Sequence, residues 1–218
     1  ISNYIYWHVC LFIEKGNFTE AKRLIDKLSE IADTYENDFT KSLMYQIKLR
    51  LLIKYRKLNY VLDEADAAII FDNKIDLKIN AYYAYSLKAN IQLILKDIKG
   101  AQESLRSAKE CQDFIKPVPV YRSCYLLSKF SCELYQFEES KKTDNKIALK
   151  HIQKAAFKAG KKVMKHSSKV AYDRTEALRL IGTYYWIAGK PKKAFKWWTA
   201  SMKQGERLNV KLDLSRTY

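Results

Sequence analysis

The stretch from Gly182 to Trp198, GTYYWIAGKPKKAFKWW, sets aromatic clusters on both sides of a short break, AGKP. Upstream of the break Ala177, Leu178, Ile181, Tyr185 and Ala188 recur at the three-and-four spacing of one helix face. Downstream, Ala194, Trp198, Ser201 and Leu208 do the same. Pro191 falls where a first helical turn accepts proline, which has no N–H to lose there. The break therefore reads as the joint between two antiparallel helices. Consecutive aromatics on a helix point about 100° apart, so Tyr185 and Trp198 are expected on the packing faces and Tyr184 and Trp197 away from them.

The same grammar runs back through the chain. Ile5, Val9 and Phe12 precede a break at KGNF, and Ala21, Ile25, Leu28 and Ala32 follow it. Gly16 suits the left-handed residue that ends a helix, and Asn17 and Thr19 offer caps for the next one. A second unit reads Met44, Ile47, Leu51 and Tyr55, a break at KLNY, then Leu62, Ala65 and Ile69. A third reads Ala84, Leu87, Ile91 and Ile94, a break at KDIKG, then Ala101, Leu105, Ala108 and Ile115. Pro117 and Pro119 close it off. In the fourth, Cys124, Leu127, Leu134 and Phe137 are followed by the longer charged break EESKKTDNK and by Ile147, Ile152, Ala155 and Ala159. Equivalent alanines lie 47 residues apart between 101 and 148, 46 between 148 and 194, and 80 over the two units between 21 and 101. Such periods mean stacked helical hairpins. The expected units are 1–36, 40–73, 76–116, 117–166 and 168–209, with 210–218 opening a further helix.

These residues resemble the tetratricopeptide repeat (TPR) family. Ile181, Gly182 and Tyr185 fall on its L-G-x-x-Y positions, Gly189 on the interhelix glycine, Ala194 on the packing alanine and Trp198 on the large aromatic. The first unit matches at Phe12, Gly16 and Ala21 and the third at Ala89, Ala101 and Ala108, whereas units two and four match by period and polarity alone. The resemblance implies an all-α, right-handed superhelix of about five antiparallel helix hairpins. A narrower resemblance covers the last fifth of the chain, through Arg179, Gly182, Trp186, Gly189, Lys193, Ala194, Trp197, Trp198, Gly205, Arg207, Leu208, Arg216 and Tyr218. It is similar to the helical-repeat tails of bacterial signalling proteins that carry adenylate/guanylate cyclase and STAND-type ATPase domains. Neither cyclase metal-binding carboxylates nor a P-loop occurs here, so any such activity is expected in other parts of a longer protein. The absence of an initial Met and the helical character of DLSRTY fit a fragment of such a protein.

Six Gly and three Pro in 218 residues, 48% hydrophobic, favour long helices around a real core over a strand-and-turn fold. The apolar run near the start is interrupted by His8 and closed by Glu14, too short to span a bilayer. Cys10, Cys111, Cys124 and Cys132 form no CxxC pair and are expected to be buried reduced thiols of a cytoplasmic protein. His8, His151 and His166 lack ligand neighbours, so no metal site is expected. No catalytic motif is present, and neither enzyme activity nor a cofactor is expected of this chain.

Forty Lys and Arg against 24 Asp and Glu leave a formal charge of +16. Half of it lies between Asn145 and Tyr172, where eight lysines and no acid occur. Lys146, Lys150, Lys154, Lys158 and Lys162 stand four apart and form a drifting stripe on one helix, at a repulsion cost of about 0.2–0.5 kcal/mol per adjacent pair. One reading makes the stripe a dock for an acidic protein segment, an anionic membrane surface or nucleic acid. The other makes it a solvated face, which the scarcity of arginine favours. Lys190, Lys192, Lys193 and Lys196 extend the basic character, and a shared facing of both runs would argue against mere solvation.

The expected function is a non-catalytic protein–protein interaction or regulatory module of a larger cytoplasmic signalling protein, linked to a cyclase or ATPase. The alternative is a nucleic-acid-binding solenoid that uses the lysines between 146 and 169. From the family's groove geometry, the implied partner-facing residues are Asn3, Tyr6, Tyr83, Asn90, Glu176, Arg179, Thr183 and Trp186. The expected partner is a protein or peptide segment, another domain of the same chain included. A homodimer through the C-terminal end is a further expectation.

Overall fold

The computed structural model describes residues 1–56, 60–142, 145–171 and 173–217. Positions 57–59, 143 and 144, within two of the expected breaks, and Tyr172 and Tyr218 lie outside the described residues. Among the described residues the fold is all-helical: α1 (Ser2–Glu14), α2 (Phe18–Thr34), α3 (Asp38–Tyr55), α4 (Val61–Lys74), α5 (Lys78–Ile94), α6 (Ile98–Gln112), α7 (Pro119–Ser140), α8 (Lys146–Ser167), α9 (Asp173–Ile187), α10 (Pro191–Leu208) and α11 (Lys211–Ser215). None of these helices is long and apolar enough to cross a membrane.

The turns explain the architecture. Positive φ recurs at Gly16, Glu36, Arg56, Asp76 and Lys96, one every 20 residues, and again at Gly189 and Asn209. At the six of these sites whose next residue is described, the backbone closes the same ring. The left-handed residue donates its N–H three residues back, and its successor donates five back, as in Gly16 to Ile13 (3.0 Å) and Asn17 to Phe12 (2.9 Å). Glu36–Asn37, Asp76–Leu77, Lys96–Asp97, Gly189–Lys190 and Asn209–Val210 repeat the pattern. This is the Schellman ending, which satisfies carbonyls that the helix leaves without partners. The residue making the longer bond is itself the N-cap of the next helix, so the connections are as short as helices allow. Asn17, Asn37 and Asp97 add a side-chain cap, accepting from the backbone N–H of Glu20, Thr40 and Gly100.

The chain divides into two compact units, Ile1–Pro117 and Val118–Tyr218. Within the first, each helix packs on the next, and α1 packs on α3 and α3 on α5. One apolar cluster joins Val9 and Ile13 of α1, Ala21 and Leu28 of α2, and Leu43 and Ile47 of α3. A polar seam runs through α1, α3 and α5. Arg50 of α3 donates to Glu14 of α1 at 2.7 Å and to the Tyr83 hydroxyl of α5 at 3.4 Å, and Lys54 donates to Glu14 at 3.2 Å. A second network links α4, α3 and α5: Asn80 donates to the Ser42 hydroxyl at 2.7 Å, and Ser42 donates to Asp72.

In the second unit α7 packs on α8 and α9, α9 on α8, α10 and α11, and α10 on α11. Phe130, Leu134 and Phe137 of α7, Ala156 and Val163 of α8, and Ala177, Ile181 and Tyr184 of α9 make its core. Two glycines set how closely these helices approach. A Cβ at Gly160 would lie 2.9 Å from both Phe130 and Ile181, and one at Gly182 would overlap the Trp198 indole. Because α9 is packed on several sides, Tyr184 is buried while Tyr185 is half-buried, the reverse of the sequence expectation. Trp198 fills the Gly182 groove on another side of the same helix.

Candidate functional site: a lysine-lined cleft in the second unit

α8 begins at Asn145, whose side chain caps it by accepting from the Ala148 N–H at 3.0 Å. No acid occupies its first turn, so among the residues of that turn nothing offsets Lys146 at the positive end of the helix dipole. Lys146, Lys150, Lys154, Lys158 and Lys162 are all exposed, and among the described residues none of them pairs with a carboxylate. A four-residue step on a helix overshoots a full turn by about 40°, so the stripe winds around α8. Only its Lys150 and Lys154 reach the cleft described next.

That cleft, about 450 Å³, is lined by Lys150, Gln153, Lys154 and Phe157 of α8, Tyr184 and Tyr185 of α9, and Lys190 and Lys193 at the start of α10. Two basic runs that are separate in sequence thus converge. No carboxylate lines the cleft among the described residues, and no arginine does. Its floor is aromatic. The Phe157 and Tyr184 rings lie 5.7 Å apart and those of Tyr184 and Tyr185 5.3 Å apart, while the Lys193 ammonium sits 5.6 Å from the Tyr185 ring centre. Burial pushes the Tyr184 phenol above its ordinary value, against a hydrogen bond with Gln153. The phenol therefore stays neutral beneath the cations.

Phe157, Tyr184 and Tyr185 also line a second, apolar cavity of about 260 Å³. Phe130, Gly160, Lys161, Met164, Ile181 and Trp197 complete it. The Lys161 ammonium lies 4.8 Å from the Phe157 ring centre at its rim. Trp197, expected away from the packing faces, is half-buried against the core by this cavity.

Of the partner-facing residues implied by family geometry, those on α9 share one stripe. Arg179 binds Glu176 through two 2.7 Å hydrogen bonds, and its carbonyl accepts from Thr183 and from the Trp198 indole N–H, each at 3.2 Å. Trp186 is half exposed and packs with Trp198 (5.7 Å) and Phe195 (6.2 Å) between ring centres. In the first unit, Asn3 is exposed and Asn90 half-buried. Tyr6 and Tyr83 are corrections: at 2% and 1% exposure they belong to the core. The reason is the packing of α1, α3 and α5 on one another, which encloses the aromatic face and spends the Tyr83 hydroxyl on Arg50.

Cys10, Cys111 and Cys132 are buried, Cys124 is half-buried, and all four are free thiols. Burial pushes the Cys132 thiol up to about 11, which leaves it unreactive at neutral pH. Among the described residues no group of three His, Cys, Asp or Glu side chains is placed to hold a metal ion.

Compared with known proteins, the chain matches no family model, no curated protein and no solved structure.

Proposed function

We propose that this chain is a non-catalytic interaction module built from TPR-like hairpins in a right-handed superhelix, and that it docks an acidic segment of a protein partner. The partner segment belongs to the same longer signalling protein or to another one. One observation carries the reading: Lys150 and Lys154 meet Lys190 and Lys193 on a single cleft that no acid lines among the described residues. Bringing four cations together is unfavourable in isolation, and a bound carboxylate-rich segment relieves it. Lysine ammonium groups suit carboxylates as point charges, whereas the absence of an arginine fork removes the bidentate geometry preferred for phosphate and base recognition. In the resembling family the first helix of a hairpin faces the ligand. The α9 stripe of Arg179 and exposed Trp186 is accordingly the second surface of the proposal.

Fluorescence anisotropy tests it with labelled polyglutamate and a labelled single-stranded oligonucleotide, at about 50 and about 200 mM salt. The protein is compared with a Lys150, Lys154, Lys190 and Lys193 to Gln variant and with a matched variant carrying Gln at Lys146, Lys158, Lys162 and Lys165. Polyglutamate binding that disappears in the cleft variant and survives in the matched one is the expected result. Equal losses in both would reduce the cleft to bulk charge. Preferential oligonucleotide binding with a steep salt slope would replace the proposal with the nucleic-acid reading.

A further inference from the structure

The apolar cavity beside the lysine cleft carries one charged lining residue, Lys161, and it shares three residues with the cleft: Phe157, Tyr184 and Tyr185. The two spaces therefore meet along one aromatic wall. Resting on the docking function above, we propose that this cavity receives one large apolar side chain, a phenylalanine or its equivalent. The recognised element is then an apolar residue embedded between acidic ones.

Size and chemistry both support that occupant. A protein cavity of about 150 Å³ holds a benzene ring, and this one measures about 260 Å³. Its inner walls come from Phe130 and Ile181, with Met164 beside them, and Met adapts to the outline of an inserted side chain. Gly160 contributes no side chain to the wall. A Cβ there would lie 2.9 Å from the Phe130 and Ile181 side chains, which would have to shift for α8 to keep this approach to α7 and α9. Charge complementarity fixes the flanks, since a peptide that places a ring here must run its neighbouring residues past Lys154 and Lys193 or past the exposed Lys161. Acidic neighbours are favoured at these positions and basic ones opposed.

The experiment uses two labelled glutamate-rich peptides, identical except for a central phenylalanine or alanine, titrated against the protein and against Met164→Trp, whose indole occupies the cavity. The phenylalanine peptide is expected to bind about tenfold more tightly than the alanine peptide, the yield of enclosing most of a ring. Met164→Trp should abolish that preference while still binding the alanine peptide, which also shows that the variant is folded. Equal affinity for the two peptides, with dependence on the four cleft lysines retained, would overturn this inference and leave the docking function standing. Binding of neither peptide would overturn both. Laurate raising the melting temperature where neither peptide binds would overturn both as well and assign the cavity to a fatty carboxylate.

Discussion

Trp198 occupies the volume that a Cβ on residue 182 would need, and its indole N–H is held at 3.2 Å by the Arg179 carbonyl one turn earlier on α9. The α9–α10 pairing thus depends on the pair: no side chain at one position, the largest at the other. Gly182→Ala is expected to push the indole off its acceptor and destabilise the second unit by about 1–3 kcal/mol. Trp198→Phe should cost less, because a phenyl ring stays in the groove while the indole's pyrrole edge against Gly182 and its one hydrogen bond are lost. The urea midpoints of the two variants check the order.

Lys96→Gly should raise stability by about 0.5–1 kcal/mol. Residue 96 adopts φ 64° at the exit of α5 and its side chain is exposed, so glycine relieves strain and removes no contact. Gly16→Ala, at φ 75°, should do the opposite although nothing crowds its Cβ position. Chemical denaturation of both separates backbone strain from packing.

The first unit contains two buried carboxylates with opposite pH behaviour. Burial pushes Asp72 from 3.8 up to about 7, against a hydrogen bond donated by Ser42. Its folded value exceeds its unfolded one, so its contribution is fully present below about pH 3.8 and is lost as pH rises through about 7. Asp72→Asn should leave stability near pH 4 almost unchanged, raise it at pH 8 by on the order of 3 kcal/mol, and flatten the profile between. A wild-type profile that is flat from pH 4 to 8 would contradict the assignment.

Burial also raises Glu14, but the Lys54 and Arg50 cations beside it hold the carboxyl below its ordinary 4.5. Its contribution is present above that value and is lost as the solution becomes more acidic. Glu14→Ala leaves Arg50, itself only 8% exposed, as a buried cation without this carboxylate, with an expected loss of about 3–5 kcal/mol at neutral pH. Thermal melts between pH 3 and 8 should show the variant and the wild type converging at the acid end.

Much of the helical framework was legible because its signals are local. Gly16 and Gly189 lie at the left-handed positions, Pro191 opens α10, and Ala21, Ala101 and Ala194 are fully buried, as their spacing predicts. Other exits were harder to read, since Glu36, Asp76 and Lys96 adopt the left-handed conformation without glycine. There the backbone ring fixes the turn, and side-chain chemistry leaves almost no trace of it. The candidate site was legible only in pieces. The charge of the two lysine runs could be read from the chain, but that Lys150 meets Lys190 across α8 and α10 is a tertiary fact. The burial of Tyr6 and Tyr83 likewise depends on α1, α3 and α5 packing together, which no helical period reveals.

The even recurrence of left-handed residues in the first unit makes chain length a gauge. A substitution within a helix changes one contact. A single inserted residue has a wider effect, because it rotates every later position of that helix by about 100° before the next turn can reset the count. Evolution can therefore rewrite the faces of these helices freely, yet it can add length only at the turns or as whole steps of the repeat.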